Sequence, residues 1–580
     1  MGGFRSLAPW AAIAGFAMLL PFAFNEFWVV IGTRAAIYWV LVAGLNLAVG
    51  FAGQLAIGYV ALLTLGSYTA SILVQRYGLS PYVALVGAAT VGAVSGVIVG
   101  LPALRLRTFY FAMTTLGFAT IVTQVALAWQ SVTGGGIGLP GPEMPAPFDS
   151  TKGFYAFCMG LAGLCTWMSA NIASSRFGRA LVALRDAEVA AEATGISKTA
   201  LLMTVFLFAG ATGGVAGGLF ATLQSYITPD AFTFDLSVLF FVAILIGGRG
   251  SILGPLLGTV ILTILPEFAA PLVAWSTFLY AVLLLAIVLA MPGGIAALLD
   301  FSNRKPLQSD RAIIPRPELL AELLPNGGGQ DDIALRGIVL AFGGVRAIDG
   351  LDLTVRPGEV HGLIGPNGSG KTTTLNVICG FNVPEAGEAR LGAAPLPAGD
   401  SRGRAGMGIA RTFQTPRLVG EASVLENVMI GGTISGQGSF VESLLRLPRH
   451  GRDEAALTAR AMLALRATGL ETLAHVRADR LQHSELRFME IARAAMLAPK
   501  FLLLDEPAAG LSPDEIGRLG VLIKAIARQG TGVLLVEHHA DLIFDICDQV
   551  TVLNLGRELA AGTPAEIRAH KEVVSAYLGG

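Results

Sequence analysis

The segment "VHGLIGPNGSGKTTTL", from Val360 to Leu375, decides the fold of the carboxyl-terminal half of this 580-residue chain. Val360 to Ile364 form an apolar run typical of a buried strand, and Gly365 to Thr372 match the complete pattern G-x-x-x-x-G-K-[ST]. Glycines allow backbone N–H groups to surround a phosphate, and the helix that follows adds its partial positive charge. The order of strand, loop and helix therefore predicts a nucleoside triphosphate site. Its predicted residues are Gly365, Pro366, Asn367, Gly368, Ser369, Gly370, Lys371, Thr372 and Thr373.

Two later strands end in polar residues that complete this chemistry. In "FLLLDEP", Asp505 ends the apolar run and is predicted to hold Mg²⁺ together with the Thr372 hydroxyl, while Glu506 is placed to polarise an attacking water. In "VLLVEHH", His538 follows Glu537 at a strand end, where it would sense a γ-phosphate. These residues predict hydrolysis of a nucleoside triphosphate with Mg²⁺ as cofactor.

The segments around these motifs indicate two domains and a linker. From Ile333 onward, strand-like and helical segments alternate, which predicts an α/β domain around a largely parallel sheet over residues 333–580. Residues 301–332 are rich in proline and glycine and have mixed charges, so we interpret them as a tether.

Residues 1–300 have the composition of a membrane domain. The whole chain is 53% hydrophobic and only 14% charged, and it is therefore more apolar than a soluble protein requires. About 20 apolar residues span a bilayer core, and this criterion predicts a polytopic helical domain of about ten spans. The predicted spans begin near Ala8, Trp28, Ala56, Pro81, Thr108, Gly153, Thr199, Leu236, Ser251 and Leu272.

Charge and cysteine content narrow the function classes. Basic residues cluster at Arg105 and Arg107 and again from Arg176 to Lys198, which places both loops and the carboxyl-terminal half in the cytoplasm. The net charge of −1 gives no indication of a nucleic-acid surface. The four cysteines are too widely separated for a metal box, and we expect them to pack in the core.

Three features of the membrane half carry specific expectations. Glycines at four-residue spacing, such as Gly92 and Gly96 or Gly210 and Gly214, predict close helix packing. Arg34 is either a functional charge within a span or an interfacial residue. The amphipathic, alanine-rich segment 176–198 predicts a cytoplasmic helix that docks on a partner domain and transmits its movement.

Residues 333–580 resemble the nucleotide-binding domain of ATP-binding-cassette (ABC) transporters. The resemblance implies that Phe342 stacks on adenine, that Gln414 in "RTFQTPRL" contacts both Mg²⁺ and the membrane domain, and that Ser512 to Asp514 face a second ATPase. Segments such as "GLNLAVGFAGQLAIGYVALLTLGSYT" and "LIGGRGSILGPLLGTVI" resemble the permease of branched-chain or hydrophobic amino acid importers. "RTFQTPRLVGEASVLENV" and the ending "AYLGG" resemble the ATPase of the same system.

The chain thus resembles a natural fusion of a permease and an ATPase subunit. The resemblance implies ATP-driven import across a bacterial inner membrane, with a second permease, a second ATPase or a second copy of this chain, and a periplasmic solute-binding protein as partners. Two alternatives remain: a half-exporter, and an ATP-binding regulator that hydrolyses poorly. The number of predicted spans and the short cytoplasmic loops argue against the half-exporter.

The family's signature loop is altered, which supports the second alternative. Leu481 is kept, but Gln482, His483, Ser484 and Glu485 replace the residues that the family pattern requires. Glu485 is expected to bring a negative charge near the partner's phosphates, which is unfavourable. Because a signature serves the opposite nucleotide in an ABC dimer, the sequence favours one hydrolytic and one slow site. The other interpretation is that the following helix suffices for normal turnover.

Overall fold

The computed structural model describes residues 7–106, 108–269, 293–299, 313–324 and 331–573, together with residues 278, 281, 282, 285 and 289. The chain divides into two compact units. The first contains Met1–Arg185, Lys198–Pro306 and Ser439–Leu447, and the second contains Asp186–Ser197, Leu307–Gly438 and Pro448–Gly580. Each unit therefore includes a short segment from the other half of the sequence.

The first unit is helical, and its helix starts are defined by local sequence. Asn25, Ser80, Ser150 and Thr233 each accept a hydrogen bond from the backbone N–H three residues later, which satisfies one of the free donors of a first turn. The helices are α1 (Leu7–Ala23), α2 (Glu26–Asn46), α3 (Val60–Tyr77), α4 (Pro81–Gly100), α5 (Thr108–Ala128), α6 (Gln130–Thr133), α7 (Thr151–Ala173), α8 (Arg176–Ala193), α9 (Lys198–Gln224), α10 (Phe234–Gly247) and α11 (Leu253–Ala269). Two short strands, β1 (Leu139–Pro140) and β2 (Tyr226–Ile227), pair antiparallel although three helices separate them in the chain.

These helices agree with the predicted polytopic membrane domain. Within the described ranges, six helices are long and apolar enough to cross a bilayer, and two shorter apolar helices, Ile13–Ala23 and Leu253–Phe268, accompany them. Nine of the ten predicted spans begin in or near one of the helices above. The span predicted from Leu272 lies outside the described residues.

Helices α4 and α9 meet along their glycines. A Cβ atom built on Gly92 would lie closer than 3.0 Å to the Gly210 carbonyl and to the Gly214 Cα, and one on Gly96 would meet the Phe206 carbonyl and the Gly210 Cα in the same way. Side chains at these positions would therefore force the backbones apart. The predicted close packing is present, as expected where lipid offers no hydrophobic drive for helix association.

The charge at Arg34 has a partner of opposite charge within the first unit. Arg34 Nη1 on α2 lies 3.0 Å from Glu267 Oε1 on α11, and the two side chains are 33% and 23% exposed. The ring of Trp28 lies 5.5 Å from that of Phe268 on the same two helices. An ion pair between α2 and α11 lowers the cost of a charge in a span, because each group then has a counter-charge.

The second unit contains two sheets. The smaller sheet contains β3 (Ile333–Phe342), β4 (Val345–Val355), β6 (Ala386–Leu391) and β7 (Ala394–Pro395). In the larger sheet, the core strands β5 (Val360–Ile364), β8 (Ile409–Arg411), β9 (Phe501–Asp505), β10 (Gly532–Val536) and β11 (Gln549–Asn554) are parallel where they pair, and β12 (Arg557–Gly562) is an antiparallel edge. The larger sheet has the order β12-β11-β5-β10-β9-β8, and the smaller has the order β4-β3-β6-β7.

Helices pack on the larger sheet. Buried leucine, valine and phenylalanine side chains of β9 and β10 pack on both faces, which explains why these strands are continuously apolar. The main helices are Lys371–Cys379, Val424–Gly431, Pro448–Ala467, His483–Ala495, Pro513–Arg528 and Ala540–Ile546. The architecture is the expected α/β arrangement around a largely parallel sheet.

Part of the predicted tether is folded. Ile313, Leu320 and Leu323 are buried in the core of the second unit, and the Arg316 N–H donates to the Ala467 carbonyl. Residues 313–324 therefore pack on the helix Pro448–Ala467 and do not form a free tether. The sequence predicts a tether because the prolines around these residues indicate irregular structure, whereas the few apolar side chains between them show no clear periodicity.

The helix predicted over residues 176–198 is present as α8, with a break, and its cytoplasmic location stays a prediction. Ala187 has non-helical torsions of φ −148° and ψ 59°, close to the point at which the chain passes from the first unit to the second. Gly195, at φ +84°, lies beside Ile434 within the second unit. In the first unit, Asn171 Nδ2 of α7 donates to the Leu444 carbonyl at 2.9 Å. The role of α8 in transmitting movement between domains stays a prediction.

Candidate nucleotide-binding and hydrolysis site

The loop between β5 and the helix Lys371–Cys379 has the backbone that a phosphate cradle requires. Gly365, Gly368 and Gly370 have φ of +150°, +82° and +103°, a region that residues with a Cβ rarely adopt. Asn367 and Gly368 are exposed, and the buried Ser369 hydroxyl has no hydrogen-bond partner. The loop thus presents backbone and one unsatisfied donor where an anion would bind.

Lys371 bends back over this loop. Its Nζ donates to the carbonyls of Gly365 and Pro366 at 2.8 and 2.9 Å, and burial lowers the pKa of its ammonium group, an effect that Glu506 and Asp505 oppose. Two backbone carbonyls are weak partners for a buried cation. Phosphate oxygens bound in the loop would give the Lys371 ammonium group negatively charged partners in place of these two carbonyls.

Thr372 and Asp505 lie together at the carboxyl end of β9. Thr372 Oγ1 is 3.5 Å from Asp505 Oδ1, and both are hard oxygen donors of the kind that Mg²⁺ prefers. Burial raises the pKa of Asp505, and Arg411, whose Nη2 is 3.0 Å from Oδ2, opposes this effect. The donor set fits a magnesium ion.

Glu506 is held between two other predicted residues. Gln414 Nε2 donates to Glu506 Oε2 at 2.8 Å, and His538 Nε2 lies 2.8 Å from Glu506 Oε1. Glu506 has φ +49°, a strained conformation for a residue with a side chain, and its N–H donates to the Val536 carbonyl. The structure therefore brings Gln414, Glu506 and His538 into one cluster.

Glu537 is a supporting residue that sequence reasoning missed. It is buried, and its carboxylate accepts hydrogen bonds from the backbone N–H groups of Ala508 and His538, at 2.6 and 2.9 Å. It thus ties the end of β10 to the turn after Glu506. Its position between an apolar strand and His538 was the available signal.

Phe342 lies at the end of β3 and is 52% exposed. An exposed ring at a strand end can stack on a base. Ser512 is the N-cap of the helix Pro513–Arg528, where its hydroxyl contacts Glu515 at 2.9 Å.

Three family models match the chain. Residues 28–291 match the permease component of the branched-chain amino acid transport system, residues 348–509 match the ABC transporter model, and residues 557–580 match the branched-chain amino acid ATP-binding cassette transporter model. The chain is 38% identical to the branched-chain amino acid transport ATP-binding protein LivG of Salmonella typhimurium, over 43% of this chain and 97% of LivG.

The chain belongs to the branched-chain amino acid ABC transporter family.

Other relatives have the same coverage. The branched-chain amino acid transport ATP-binding protein BraF of Pseudomonas aeruginosa is 37% identical over 43% of this chain and 97% of BraF. A solved nucleotide-free ATP-binding cassette from an ABC transporter is 30% identical, covering 43% of this chain and 100% of that chain with a TM-score of 0.38. The family models place a permease and an ATPase of this ABC family in one polypeptide, and the ATPase half is homologous to transport ATP-binding proteins over nearly their whole length.

The structure corrects one expectation for the ABC signature loop. Glu485 is 3% exposed, and its Oε2 accepts a hydrogen bond from the Gln482 N–H at 2.8 Å, in a capping box at the start of the helix His483–Ala495. The carboxylate therefore turns into its own helix and away from the surface. Repulsion of a partner's phosphates by Glu485 is not supported, although Gln482 and His483 remain exposed at the position of the signature.

A buried charge network links this signature helix to the loop that contains Gln414. Arg487 donates to the carbonyls of Phe413 and Gln414 at 3.0 and 2.6 Å. Glu490 lies between Arg487 and Arg493, with N–O distances of 3.7 and 3.4 Å, and all three side chains are at most 7% exposed. Sequence reasoning missed these residues, because charges on an amphipathic helix usually face solvent.

Proposed function

We propose that this chain is the fused permease and ATPase subunit of an importer for branched-chain or other hydrophobic amino acids, driven by hydrolysis of Mg-ATP. One observation carries the proposal. The same polypeptide contains a match to a branched-chain amino acid permease over residues 28–291 and a hydrogen-bonded cluster of Gln414, Glu506 and His538 beside the phosphate loop.

The residues divide the reaction between them. Lys371 and the glycine loop bind the phosphates, and Phe342 receives the adenine ring. Thr372 and Asp505 would hold Mg²⁺, with Gln414 as a further ligand, and the ion when bound would supply positive charge to offset that of the phosphates. Glu506 polarises the attacking water, and His538 orients Glu506 and contacts the γ-phosphate.

The altered signature points to an asymmetric ATPase pair. Ser484 and Gln482 stand where the family pattern has glycine and serine or alanine, so the nucleotide bound by the partner is contacted less well. Lys371, Asp505, Glu506 and His538 of this chain form a site that the partner's signature completes. We propose that the site formed by Lys371 and Glu506 of this chain hydrolyses ATP, and that the site formed by the partner's phosphate loop turns over slowly.

The assembly follows from this function. We propose a permease domain over residues 1–300, a linker over 301–332 whose residues 313–324 pack on the ATPase, and an ATPase domain over 333–580. The ATPase lies in the cytoplasm of a bacterium and the permease in its inner membrane. A second permease, a second ATPase and a periplasmic solute-binding protein complete the complex.

Uptake by reconstituted complexes tests the proposal. The chain, its partner subunits and the solute-binding protein are placed in proteoliposomes, and ATP-dependent uptake is measured for leucine, isoleucine, valine, an aliphatic amide and a small aromatic acid. We expect ATP-dependent uptake of at least one aliphatic amino acid and stimulation of ATP hydrolysis by the loaded binding protein. ATP binding without hydrolysis in the complete complex would instead support the regulatory alternative.

A further inference from the structure

Arg411 contacts the proposed metal site although the sequence-based site does not include it. It ends β8, which pairs in parallel with β9 in the register Arg411↔Leu503, so the two carboxyl ends lie at the same edge of the sheet. Arg411 Nη2 lies 3.0 Å from Asp505 Oδ2, and these side chains are only 3% and 2% exposed. The pair is therefore enclosed by protein.

The guanidinium group is fixed on its other sides. Its Nη1 donates to Asn376 Oδ1 on the helix that follows the phosphate loop. Its Cζ lies 5.2 Å from the centre of the Phe413 ring and 6.0 Å from that of the Phe381 ring, within the range of cation–π contacts. Phe413 immediately precedes Gln414, so Arg411 also anchors the start of that loop.

This arrangement assigns different tasks to the two carboxylate oxygens of Asp505. Oδ2 is occupied by Arg411, and Oδ1 faces Thr372 Oγ1 at 3.5 Å. Without Arg411, the carboxylate would be free to turn, and its buried charge would have no fixed counter-charge. We propose that Arg411 is a positioning residue, which orients Asp505 so that Oδ1 and the Thr372 hydroxyl together hold Mg²⁺.

The inference rests on the proposed function, because it takes Asp505 and Thr372 as ligands of the magnesium of Mg-ATP. A residue that orients a metal ligand from outside commonly changes metal affinity about 10- to 100-fold when it is replaced. A purely structural buried ion pair would change stability without this change in metal affinity. The two roles therefore differ in what they predict for Mg²⁺.

The experiment measures binding of ATP to the purified full-length chain. Mg²⁺ is titrated at a fixed ATP concentration to obtain an apparent Mg²⁺ affinity, and ATP affinity is also measured in EDTA. The variants are Arg411→Met, Arg411→Lys and Asn376→Ala. Arg404→Met is the matched control, because Arg404 is also buried and donates to the Ile378 carbonyl of the same helix at 2.9 Å.

We expect Arg411→Met to lower the apparent Mg²⁺ affinity about 10- to 100-fold while ATP affinity in EDTA stays close to that of the unmodified chain. Arg411→Lys should give an intermediate loss, because an ammonium group keeps the charge but not the planar pair of donors. Asn376→Ala should shift Mg²⁺ affinity in the same direction by a smaller factor, and it decides the question if Arg411→Met does not fold.

Unchanged Mg²⁺ affinity in the folded Arg411 variants, or an equal loss in Arg404→Met, would overturn the assignment. A different result separates this inference from the proposed function. If the unmodified chain binds ATP with no dependence on Mg²⁺, the proposed magnesium site itself is wrong, and the role of Arg411 is rejected with it.

Discussion

His538 Nε2 lies 2.8 Å from Oε1 of Glu506, and the two residues come from the ends of neighbouring parallel strands, β10 and β9. The contact joins two motifs that are 32 residues apart in the sequence. With Gln414 on the other carboxylate oxygen, Glu506 is held from both sides, as a residue that must orient a water requires.

Glu506→Gln should abolish ATP hydrolysis and transport while ATP binding is retained. The amide keeps the size of the side chain but cannot polarise water in the same way. Hydrolysis, uptake and ATP binding are measured in the reconstituted complex, with Glu558→Gln, an exposed carboxylate on β12, as control. Full transport by Glu506→Gln would contradict the assignment of this residue.

Ser484→Gly should change transport by less than about tenfold, which is about 1.4 kcal/mol of barrier. The altered signature serves the slow site in our proposal, so restoring one glycine does not touch the site that limits transport. Rates of uptake are compared between Ser484→Gly and the unmodified chain in the same proteoliposomes. A much larger gain would show that the signature of this chain limits the cycle, and would exclude the asymmetric model.

Glu490→Gln should destabilise the ATPase unit by about 3–5 kcal/mol, because Arg487 and Arg493 would then be buried without a counter-charge. The matched control is Glu388→Gln, which removes an exposed partner of Arg390 and should cost at most about 1 kcal/mol. Thermal and denaturant unfolding of both variants measure the difference. Equal costs would mean that the network contributes no more than a surface pair.

Gly92→Ala should destabilise the membrane unit by about 1–3 kcal/mol, because the added methyl group meets the backbone of α9. Gly160→Ala on α7 is the control, since a Cβ there meets nothing within 4 Å. Thermal unfolding of the full chain in detergent compares the two. A tolerated Gly92→Ala would show that α4 and α9 separate more easily than their glycine contact implies.

The pair Arg34 and Glu267 should show coupled energies in a double-mutant cycle. Arg34→Met leaves Glu267 charged without its partner, so Arg34→Met combined with Glu267→Gln should cost less than the sum of the single variants, by about 0.5–3 kcal/mol. The same cycle with Glu558→Gln, in the second unit, should be additive. Additivity in the first cycle would remove the ion pair as a stabilising contact.

The fold class was predictable because its signals are local. Apolar runs of membrane length gave the helices, and the glycine pattern before Lys371 gave the phosphate loop together with its neighbouring strand and helix. The roles of the site residues remain predictions, although the structure brings the predicted Glu506, His538 and Gln414 into contact.

The remaining parts depended on contacts that no local pattern encodes. Arg411 and Glu537 support the site from strand ends, and their partners are distant in sequence. Ile313 and Leu320 look like parts of a linker until the helix Pro448–Ala467 covers them. From its charge alone, Glu485 is expected to repel the phosphates of a partner's nucleotide. Its hydrogen bond with the Gln482 N–H depends on the geometry of the helix start, which the charge pattern does not reveal.

The glycine contact between α4 and α9 also limits how the permease can work. A Cβ atom on Gly92, Gly96, Gly210 or Gly214 would lie within 3.0 Å of the facing main chain, so a rotation that turned larger side chains into this contact would force the two backbones apart. We therefore expect these two helices to move together as one rigid unit. A path for solute would then open at other helix–helix contacts of the bundle.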